Sequence, residues 1–311
     1  MINTATPEML WESSDADIEL QRRFGFVSVA QAAGWVKRLL AEDYDPELVS
    51  LDRLVISAQN LMLWVTVDPG DRLMIKVCRM ARAHDWLTAR GALVGWLAEQ
   101  ELPVARPLPN RDGDHQLLRD GWSIGVQPVL RGELLDAADL DQVRAAGEAL
   151  GELHGRLATW PDADLLTDVQ PVAGGRTLWV YPDGHLERVP TELQQRLERR
   201  IADLPELPRQ PIHADFRAAN VLYRDGRISG ILDFEEARID AAVVDLAHAV
   251  CLLGTWYRNW QPITPEAQRL FLDSYADRRP LTDAEATWLP PLVAWGMLGQ
   301  GWWEAAASWL A

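Results

Sequence analysis

The sequence predicts an α+β protein in which a small antiparallel β-sheet precedes a larger, mainly helical part. Two β-rich runs flank a turn signal at residues 68–71, and further short strands around Asp-Gly turns follow up to about residue 130. The last third of the chain returns to helical spacing of its apolar residues. With 311 residues, 48% of them hydrophobic, the chain is long enough to bury two hydrophobic cores.

The predicted elements divide the chain at about residues 50 and 130. Residues 1–50 form a helical leader packed on the sheet, because apolar positions follow helical spacing and Ser28 occupies a predicted N-cap. Residues 51–130 contain the strands and one helix, which ends before Pro103. Residues 131–311 follow a linker-like stretch and are predicted to be mainly helical.

Composition excludes several classes of partner. The formal net charge of −16 is spread along the chain, so it repels nucleic-acid phosphates and anionic membrane surfaces. The two cysteines lie in apolar runs without metal-site or disulfide spacing, which indicates a reducing compartment. The first twenty residues carry acids and lack the pattern of a signal peptide, so we expect a cytoplasmic protein.

The C-terminal residues 291–311 carry a single charge, Glu304, over about the length that a bilayer needs. Gln300 and several glycines make the segment a poor membrane span, and we expect a helix packed on the protein's own core. Tryptophans recur here every seven residues: Trp288, Trp295, Trp302 and Trp309. The last three are predicted to line one helical stripe, either as a packed face, as an aromatic wall for a ligand or as a self-association surface.

Residues 211–240 concentrate the polar side chains that could perform chemistry. His213, Asp215, Asn220 and Asp233 stand in this stretch, and a turn signal at residues 224–227 predicts a β-hairpin between the last two. The hairpin would bring an amide and a carboxylate thirteen positions apart to one ion. Oxygen ligands of this kind suit Mg²⁺, which prefers one or two protein oxygens together with nucleotide phosphates. Asp215 would then remain as a base.

The pattern H-x-D-x-x-x-x-N, followed by an apolar strand and D-F, resembles the catalytic and metal-binding segments of protein-kinase-like phosphotransferases. Because D-F-E stands where protein kinases have D-F-G, the chain looks like the aminoglycoside phosphotransferase and choline kinase group. The segments MIKVCR, LPVARPLP, QPVLRG, ALGELH and VVDLAHA also resemble that family, in the right order, over residues from about 50 to 250.

The resemblance implies a bilobal, protein-kinase-like fold with a nucleotide-binding N-lobe over residues 51–130 and a C-lobe over residues 131–311 that carries catalysis and acceptor binding. Asp215 would accept or orient the proton of an attacking hydroxyl. Asn220 and Asp233 would hold Mg²⁺ against the nucleotide, and Lys76 would neutralise its α and β phosphates.

Further roles are implied with less direct support from the motifs. Nucleotide contacts are expected from the loop after the first strand and from the hinge segment: Ser57, Asn60, Gln127 and Val129. His213 and Asp245 are expected to support the catalytic loop. The acceptor is expected to contact Asp240, Glu236 and Trp256.

The chain departs from the family pattern at two places in the N-lobe. The loop at residues 56–60, which should cover the phosphates, contains no glycine. Arg90 stands about where a glutamate usually pairs the lysine, and the nearest acids are Asp85 and Glu99, so the acidic partner of Lys76 is unassigned.

The first interpretation is an ATP- or GTP-dependent phosphotransferase that modifies a hydroxyl of a small molecule, with an antibiotic as leading acceptor. A metabolic kinase for homoserine, choline or a sugar-like acceptor is the alternative, and a catalytically silent nucleotide-binding module is the rival of another class. G-x-S-x-G and P-loop motifs are absent, which removes those two classes of enzyme. Monomer and homodimer both remain open.

Overall fold

The computed structural model describes residues 5–167, 189–257 and 259–311. The chain divides into two compact units, residues 1–130 and 131–311. The first unit contains a six-stranded sheet with helices beside it and the second is mainly helical, so the predicted α+β class is confirmed.

The first unit is built on a six-stranded sheet within residues 5–130. Its strands are β1 (Pro7–Met9), β2 (Leu48–Ile56), β3 (Asn60–Val67), β4 (Asp71–Cys78), β5 (Leu117–Arg119) and β6 (Trp122–Pro128). The order across the sheet is β1-β2-β3-β4-β6-β5. Its helices are α1 (Ala16–Phe24), α2 (Val29–Asp43) and α3 (His84–Glu99).

Residues 1–50 are less purely helical than predicted. Strand β1 pairs in parallel with the end of β2, so the sheet is mixed rather than wholly antiparallel. Three residues are too few to produce a recognisable alternation, which is why the pattern did not reveal this strand. Helices α1 and α2 behave as expected, because Leu20 and Leu39 are completely buried in one core with Leu54 of β2.

The predicted turn at residues 68–70 joins β3 to β4, and β4 carries Lys76, the lysine predicted to bind nucleotide. Leu73, Ile75 and Val77 are buried, whereas Lys76 between them is only half-buried. Because successive residues of a strand face opposite sides, Lys76 lies on the face away from these core side chains.

The second unit consists mainly of helices, among which lie two small sheets. The helices are α4 (Leu140–Leu157), α5 (Thr191–Ile201), α6 (Ala242–Leu252), α7 (Pro265–Arg278), α8 (Asp283–Gly299) and α9 (Trp303–Trp309). The strands are β7 (Glu133–Leu134), β8 (Gln210–Ile212), β9 (Val221–Arg224), β10 (Arg227–Ile231) and β11 (Arg238–Asp240). They form the sheets β10-β9-β7 and β11-β8, both antiparallel.

The prediction of one tryptophan stripe is wrong. Helix α8 ends at Gly299 and α9 begins at Trp303, with Gly301 between them at φ +77°. Trp302 therefore caps a new helix instead of continuing the helix that carries Trp295. Over residues 5–167, 189–257 and 259–311, every helix is too short or too polar to span a bilayer.

Helices α4 and α7 approach each other closely because α4 presents glycines to α7. A Cβ on Gly147 would collide with the carbonyl oxygen of Phe271, and one on Gly151 would lie 2.8 Å from that of Tyr275. This close contact holds α4 in place, and α4 carries a histidine that is important for the site described below.

We expect Gly147→Ala to lower the free energy of unfolding by about 1–3 kcal/mol, because the added methyl must displace main-chain atoms of α7. Gly155→Ala in the same helix is the matched control, since no atom lies within 4 Å of its added Cβ. That control should gain about 0.5–1 kcal/mol from helix propensity. Urea unfolding of both variants tests the contact, and equal stabilities would contradict it.

Candidate active site

The hairpin predicted from the turn signal is formed by β9 and β10. Val221 pairs with Ile231, and the N–H of Leu232 donates to the carbonyl of Asn220 at 2.8 Å. Asn220 lies immediately before β9 and Asp233 lies two residues after β10. The hairpin therefore brings the two predicted metal ligands to the same end.

The carboxylate of Asp215 is held by two donors. Arg217 donates through Nε to both carboxylate oxygens, at 2.9 and 3.2 Å. Asn220 donates through Nδ2 to Oδ2 at 2.6 Å and to the main-chain carbonyl of Asp215 at 2.9 Å. The Asp215 side chain keeps 20% of its surface exposed, so it is oriented and still accessible.

Asp245, in α6, holds the predicted catalytic loop, residues 213–220, from inside the protein. Its Oδ2 accepts the N–H of His213 at 2.8 Å, and its Oδ1 accepts the N–H of Ala214 at 3.0 Å. His154 of α4 donates through Nε2 to the same carboxylate at 3.0 Å. Burial by itself would raise the pKa of Asp245, but the hydrogen bond from His154 outweighs burial and lowers this pKa to about 2.

The hydrogen bonds of His154 continue into α7 and α8. Tyr275 lies 2.8 Å from Nδ1 of His154, and Arg279 donates to the Tyr275 oxygen at 3.1 Å. Arg279 also bonds Glu285 at 2.7 Å. Because the Nε2–H of His154 donates a hydrogen bond to Asp245, Nδ1 of the same ring accepts a hydrogen bond from the Tyr275 hydroxyl. Through Asp245, His154, Tyr275 and Glu285, the loop is thus connected to four helices by a continuous chain of hydrogen-bonded groups.

His213 ties the catalytic loop to the strand end that precedes Asp233. Its Nδ1 accepts the N–H of Asp215 at 3.1 Å, and its Nε2 donates to the carbonyl of Leu232 at 2.9 Å. The ring is fully buried, with its centroid 4.4 Å from that of Phe234. Both ring nitrogens are thereby engaged, which favours the predicted structural role.

Two residues of the site have left-handed backbone conformations that side chains rarely adopt. Ala214 has φ +68° and Asp233 has φ +63°. Such conformations cost about 1–2 kcal/mol for residues with a Cβ and persist where the surroundings impose them. At Ala214, the two bonds from Asp245 supply that constraint.

Three carboxylates lie together at this end of the hairpin. The pKa of Glu236 is raised by its partial burial and by the negative charges of Asp215 and Asp233. Asp233 is exposed on the surface. Such a concentration of negative charge attracts cations.

The predicted acceptor contacts have different surroundings. Asp240 is completely buried, accepts the N–H of Ala241 at 2.9 Å and lies 3.5 Å from Arg238, which favours a structural role over contact with an acceptor. Trp256 is 38% exposed and begins a segment beside the catalytic loop. In that segment, the Tyr257 hydroxyl donates to the carbonyl of Ala219 at 3.3 Å.

The loop expected to cover the phosphates is a tight turn. The N–H of Ser57 donates to the carbonyl of Asn60 at 2.8 Å, and the Ser57 hydroxyl accepts the N–H of Asn60 at 3.1 Å. Arg23 donates to the carbonyl of Ser57 at 2.7 Å. The hydroxyl predicted to bind nucleotide therefore helps to close the turn.

The other predicted nucleotide contacts lie on or beside the central strands. Lys76 is paired across the sheet with Met62 and Gly125. Gln127 lies on β6, half-buried, and the N–H of Val129 donates to the carbonyl of Arg72 at 2.9 Å.

The residues of α3 do not follow the family pattern. Arg90 is buried, with its guanidinium 3.5 Å from the centre of the Trp86 ring. Glu99 bonds Arg106 at 2.9 Å. Asp85 lies in the first turn of the helix.

Sequence reasoning missed three residues of the site. Arg217 could have been noticed as a cation two positions after Asp215. His154 and His248 belong to no recognised motif, and nothing in the local sequence distinguishes them from ordinary core or surface histidines. Yet His154 bonds Asp245. Burial lowers the pKa of His248, and the negative charges of Asp215 and Asp245 oppose that decrease in part.

A sheet unit with a lysine on its central strand, followed by a helical unit with an Asp-Asn loop and an aspartate after a hairpin, defines a protein-kinase-like phosphotransferase. Comparison with known proteins agrees. The phosphotransferase enzyme family, APH, matches residues 52–284, and the chain therefore belongs to this family. This confirms the resemblance to the aminoglycoside phosphotransferases, and the protein is a phosphotransferase that acts on a hydroxyl of a small molecule.

Curated relatives support the same family, and solved structures share the fold. Homoserine kinase of Methylobacillus flagellatus is 30% identical over 85% of this chain and 81% of the relative. That of Gluconobacter oxydans is 28% identical over 79% and 78%. A macrolide 2′-phosphotransferase from Brachybacterium faecium has a TM-score of 0.63 at 18% identity, over 90% of this chain and 98% of the other. An amicoumacin kinase has a TM-score of 0.62 at 17% identity, over 90% and 93%.

We expect Ala214→Gly to fold normally and to gain up to about 1 kcal/mol in free energy of unfolding, because glycine adopts the left-handed conformation without strain. Ala214→Val should lose more than 1 kcal/mol, since a β-branched side chain is a genuine outlier there. Chemical denaturation of the pair measures this. A valine variant as stable as the glycine variant would show that the backbone at 214 is not held in the left-handed region.

Proposed function

We propose that this enzyme transfers the γ-phosphoryl group of ATP or GTP, with Mg²⁺, to the primary hydroxyl of a small hydroxylated amino acid, and that homoserine is the acceptor to test first. The observation that carries the proposal is the arrangement of Asp215, whose carboxylate is oriented by Arg217 and Asn220 at the end of the hairpin where Asp233 lies.

Asp215 would receive the proton of the acceptor hydroxyl, or orient that hydroxyl for attack. Phosphoryl transfer depends mainly on positioning and charge stabilisation, so a fixed carboxylate is more useful than a strong base. Hydrogen bonds from Arg217 and Asn220 limit the rotation of the Asp215 side chain. Arg217 is a positioning residue in this scheme.

Asn220 and Asp233 fit Mg²⁺ by the chemistry of their donor groups. Asn220 uses its amide nitrogen to bond Asp215, which leaves its amide oxygen as the ligand, and Asp233 adds an exposed carboxylate. Two protein oxygens are the usual contribution to Mg²⁺ that is also bound by nucleotide phosphates. When bound, the metal would neutralise phosphate charge.

Lys76 would add positive charge at the α and β phosphates of the nucleotide. The half-buried position of its side chain on a central strand supports this role. Gln127 and Val129 would contact the base, whereas Ser57 and Asn60 would act through the shape of the turn that they close.

The choice of acceptor rests on the curated relatives. Homoserine kinases at 28–30% identity cover most of this chain, while the antibiotic phosphotransferases share the fold at 17–18% identity. The negative charge around Glu236 and Asp215 also favours an acceptor with an ammonium group. Trp256 and Trp260 would provide an apolar wall, since Trp260 lies 5.8 Å below the guanidinium of Arg217.

A nucleotide-consumption assay with ATP and GTP tests the proposal against homoserine, choline and a set of hydroxylated antibiotics. We expect turnover with homoserine, identified as the phosphate ester by phosphorus NMR, and its loss when Mg²⁺ is removed by a chelator. Turnover of an antibiotic but not of homoserine would restore the first interpretation from sequence. Nucleotide binding without transfer to any acceptor would contradict an active enzyme.

Asp215→Asn should lower kcat by at least about 100-fold with little change in nucleotide affinity, because it removes the proton acceptor and keeps the size of the side chain. Asp225→Asn is the control with the same chemical change, located in the exposed turn at the other end of the hairpin. Wild-type turnover by the Asp215 variant would exclude the proposed role.

A further inference from the structure

The turn end of the β9–β10 hairpin carries a second chemical feature, away from the proposed metal ligands. A cavity of about 350 Å³ lies there, and its lining consists of Arg131, Arg224, Asp225, Arg227 and Ser229. We name this feature the arginine pocket. Its volume is within the range of small-ligand sites.

Strand pairing brings the arginines together. Arg224 and Arg227 are direct partners across the two antiparallel strands, so their side chains emerge on the same side of the sheet. Arg131 lies two residues before β7, which pairs with β9 through Glu133 and Tyr223. Strand pairing thus fixes the backbone of Arg224 and Arg227.

Gly132 fixes the distance between Arg131 and the hairpin. A Cβ at this position would collide with the Ser229 hydroxyl and lie 3.0 Å from Cβ of Leu222 and 3.2 Å from the carbonyl of Tyr223. With φ +155°, this residue also has a conformation that favours glycine. The backbone therefore lies directly against the hairpin, which keeps the Arg131 side chain at the pocket.

The pocket carries excess positive charge in a strongly acidic protein. One carboxylate, Asp225, faces three guanidinium groups and bonds Arg224 at 3.1 Å. Like charges placed directly opposite on neighbouring strands are destabilising unless an anion lies between them. The chain as a whole has a net charge of −16, so this cluster of positive charge is opposite in sign to the charge of the protein.

Ser229 provides an independent indication of a ligand. Its Oγ is covered where the hairpin meets Gly132 and has no hydrogen-bond partner among the described residues, so that rotation about χ1 would bring this unpaired hydroxyl into the pocket. Buried hydroxyl groups almost always have a partner. A hydroxyl beside guanidinium groups is a usual companion in sites that bind oxyanions, because both donate hydrogen bonds.

We propose that the arginine pocket binds a small phosphate-bearing anion. Planar guanidinium groups match phosphate oxygens in pairs, and the Ser229 hydroxyl would donate a further bond. The site lies at the end of the hairpin opposite Asn220 and Asp233, and so goes beyond the proposed transfer reaction. The same chemistry fits inorganic diphosphate and the phosphate ester of a small metabolite, two sources that the test separates.

Calorimetric titration of the full chain, kept saturated with AMP-PNP and Mg²⁺ so that the nucleotide site is filled, measures binding of inorganic diphosphate and of glycerol 3-phosphate. We expect saturable binding of at least one of them. The anion that binds more tightly shows whether the pocket prefers inorganic diphosphate or a phosphate ester. The double variant R131Q/R227Q should weaken that binding at least tenfold.

The double variant R144Q/R269Q is the matched control, since both of its arginines are exposed helix residues of the same unit and the charge change is the same. It should bind like wild type. Equal weakening in both double variants would reduce the effect to net charge and overturn the proposal, as would an absence of binding to wild type. Thermal denaturation of each variant verifies folding.

Ser229→Ala distinguishes a ligand contact from a structural group. Removal of a buried hydroxyl without a protein partner should leave thermal stability unchanged or raise it. We expect the same variant to weaken anion binding at least threefold. Unchanged binding would remove Ser229 from the site, and unchanged binding in R131Q/R227Q as well would overturn the pocket.

Discussion

The site depends on one buried carboxylate. Asp245 accepts two successive N–H groups of the catalytic loop and a third hydrogen bond from His154, and it is completely buried. A buried charge is stable only when it is paired and fully bonded, so the three donors and Asp245 require one another. The left-handed Ala214, and with it the direction in which Asp215 leaves the loop, follows from this clamp.

The pairing of β9 with β10 places different kinds of side chain at the two ends of the hairpin. At its open end, Asn220 and Asp233 lie at the adjacent strand ends, Asn220 bonds Asp215, and His213 bonds the carbonyl of Leu232 next to Asp233. At its turn, the same pairing aligns Arg224 with Arg227. Acidic groups therefore collect at one end and basic groups at the other, which suits a cation at the first end and an anion at the second.

The parts of the fold that sequence predicts well are those with strong local signals. The Asp-Gly turn signal at Asp225 predicts the hairpin, and helix caps such as Ser28 fix where helices begin. Interactions between distant segments leave no local pattern: His154 and Asp245 are 91 positions apart. The tryptophan stripe failed for a related reason, because heptad spacing continued through Gly301 although the backbone did not.

The most direct test of this account is amide hydrogen exchange in Asp245→Asn. We expect the N–H groups of His213 and Ala214 to exchange about 10–100-fold faster, because each loses a bond to a charged acceptor, and we expect kcat to fall while nucleotide affinity is retained. Asp240→Asn, another buried aspartate, should leave exchange at these two positions unchanged. Wild-type protection and wild-type kcat in Asp245→Asn would contradict the account.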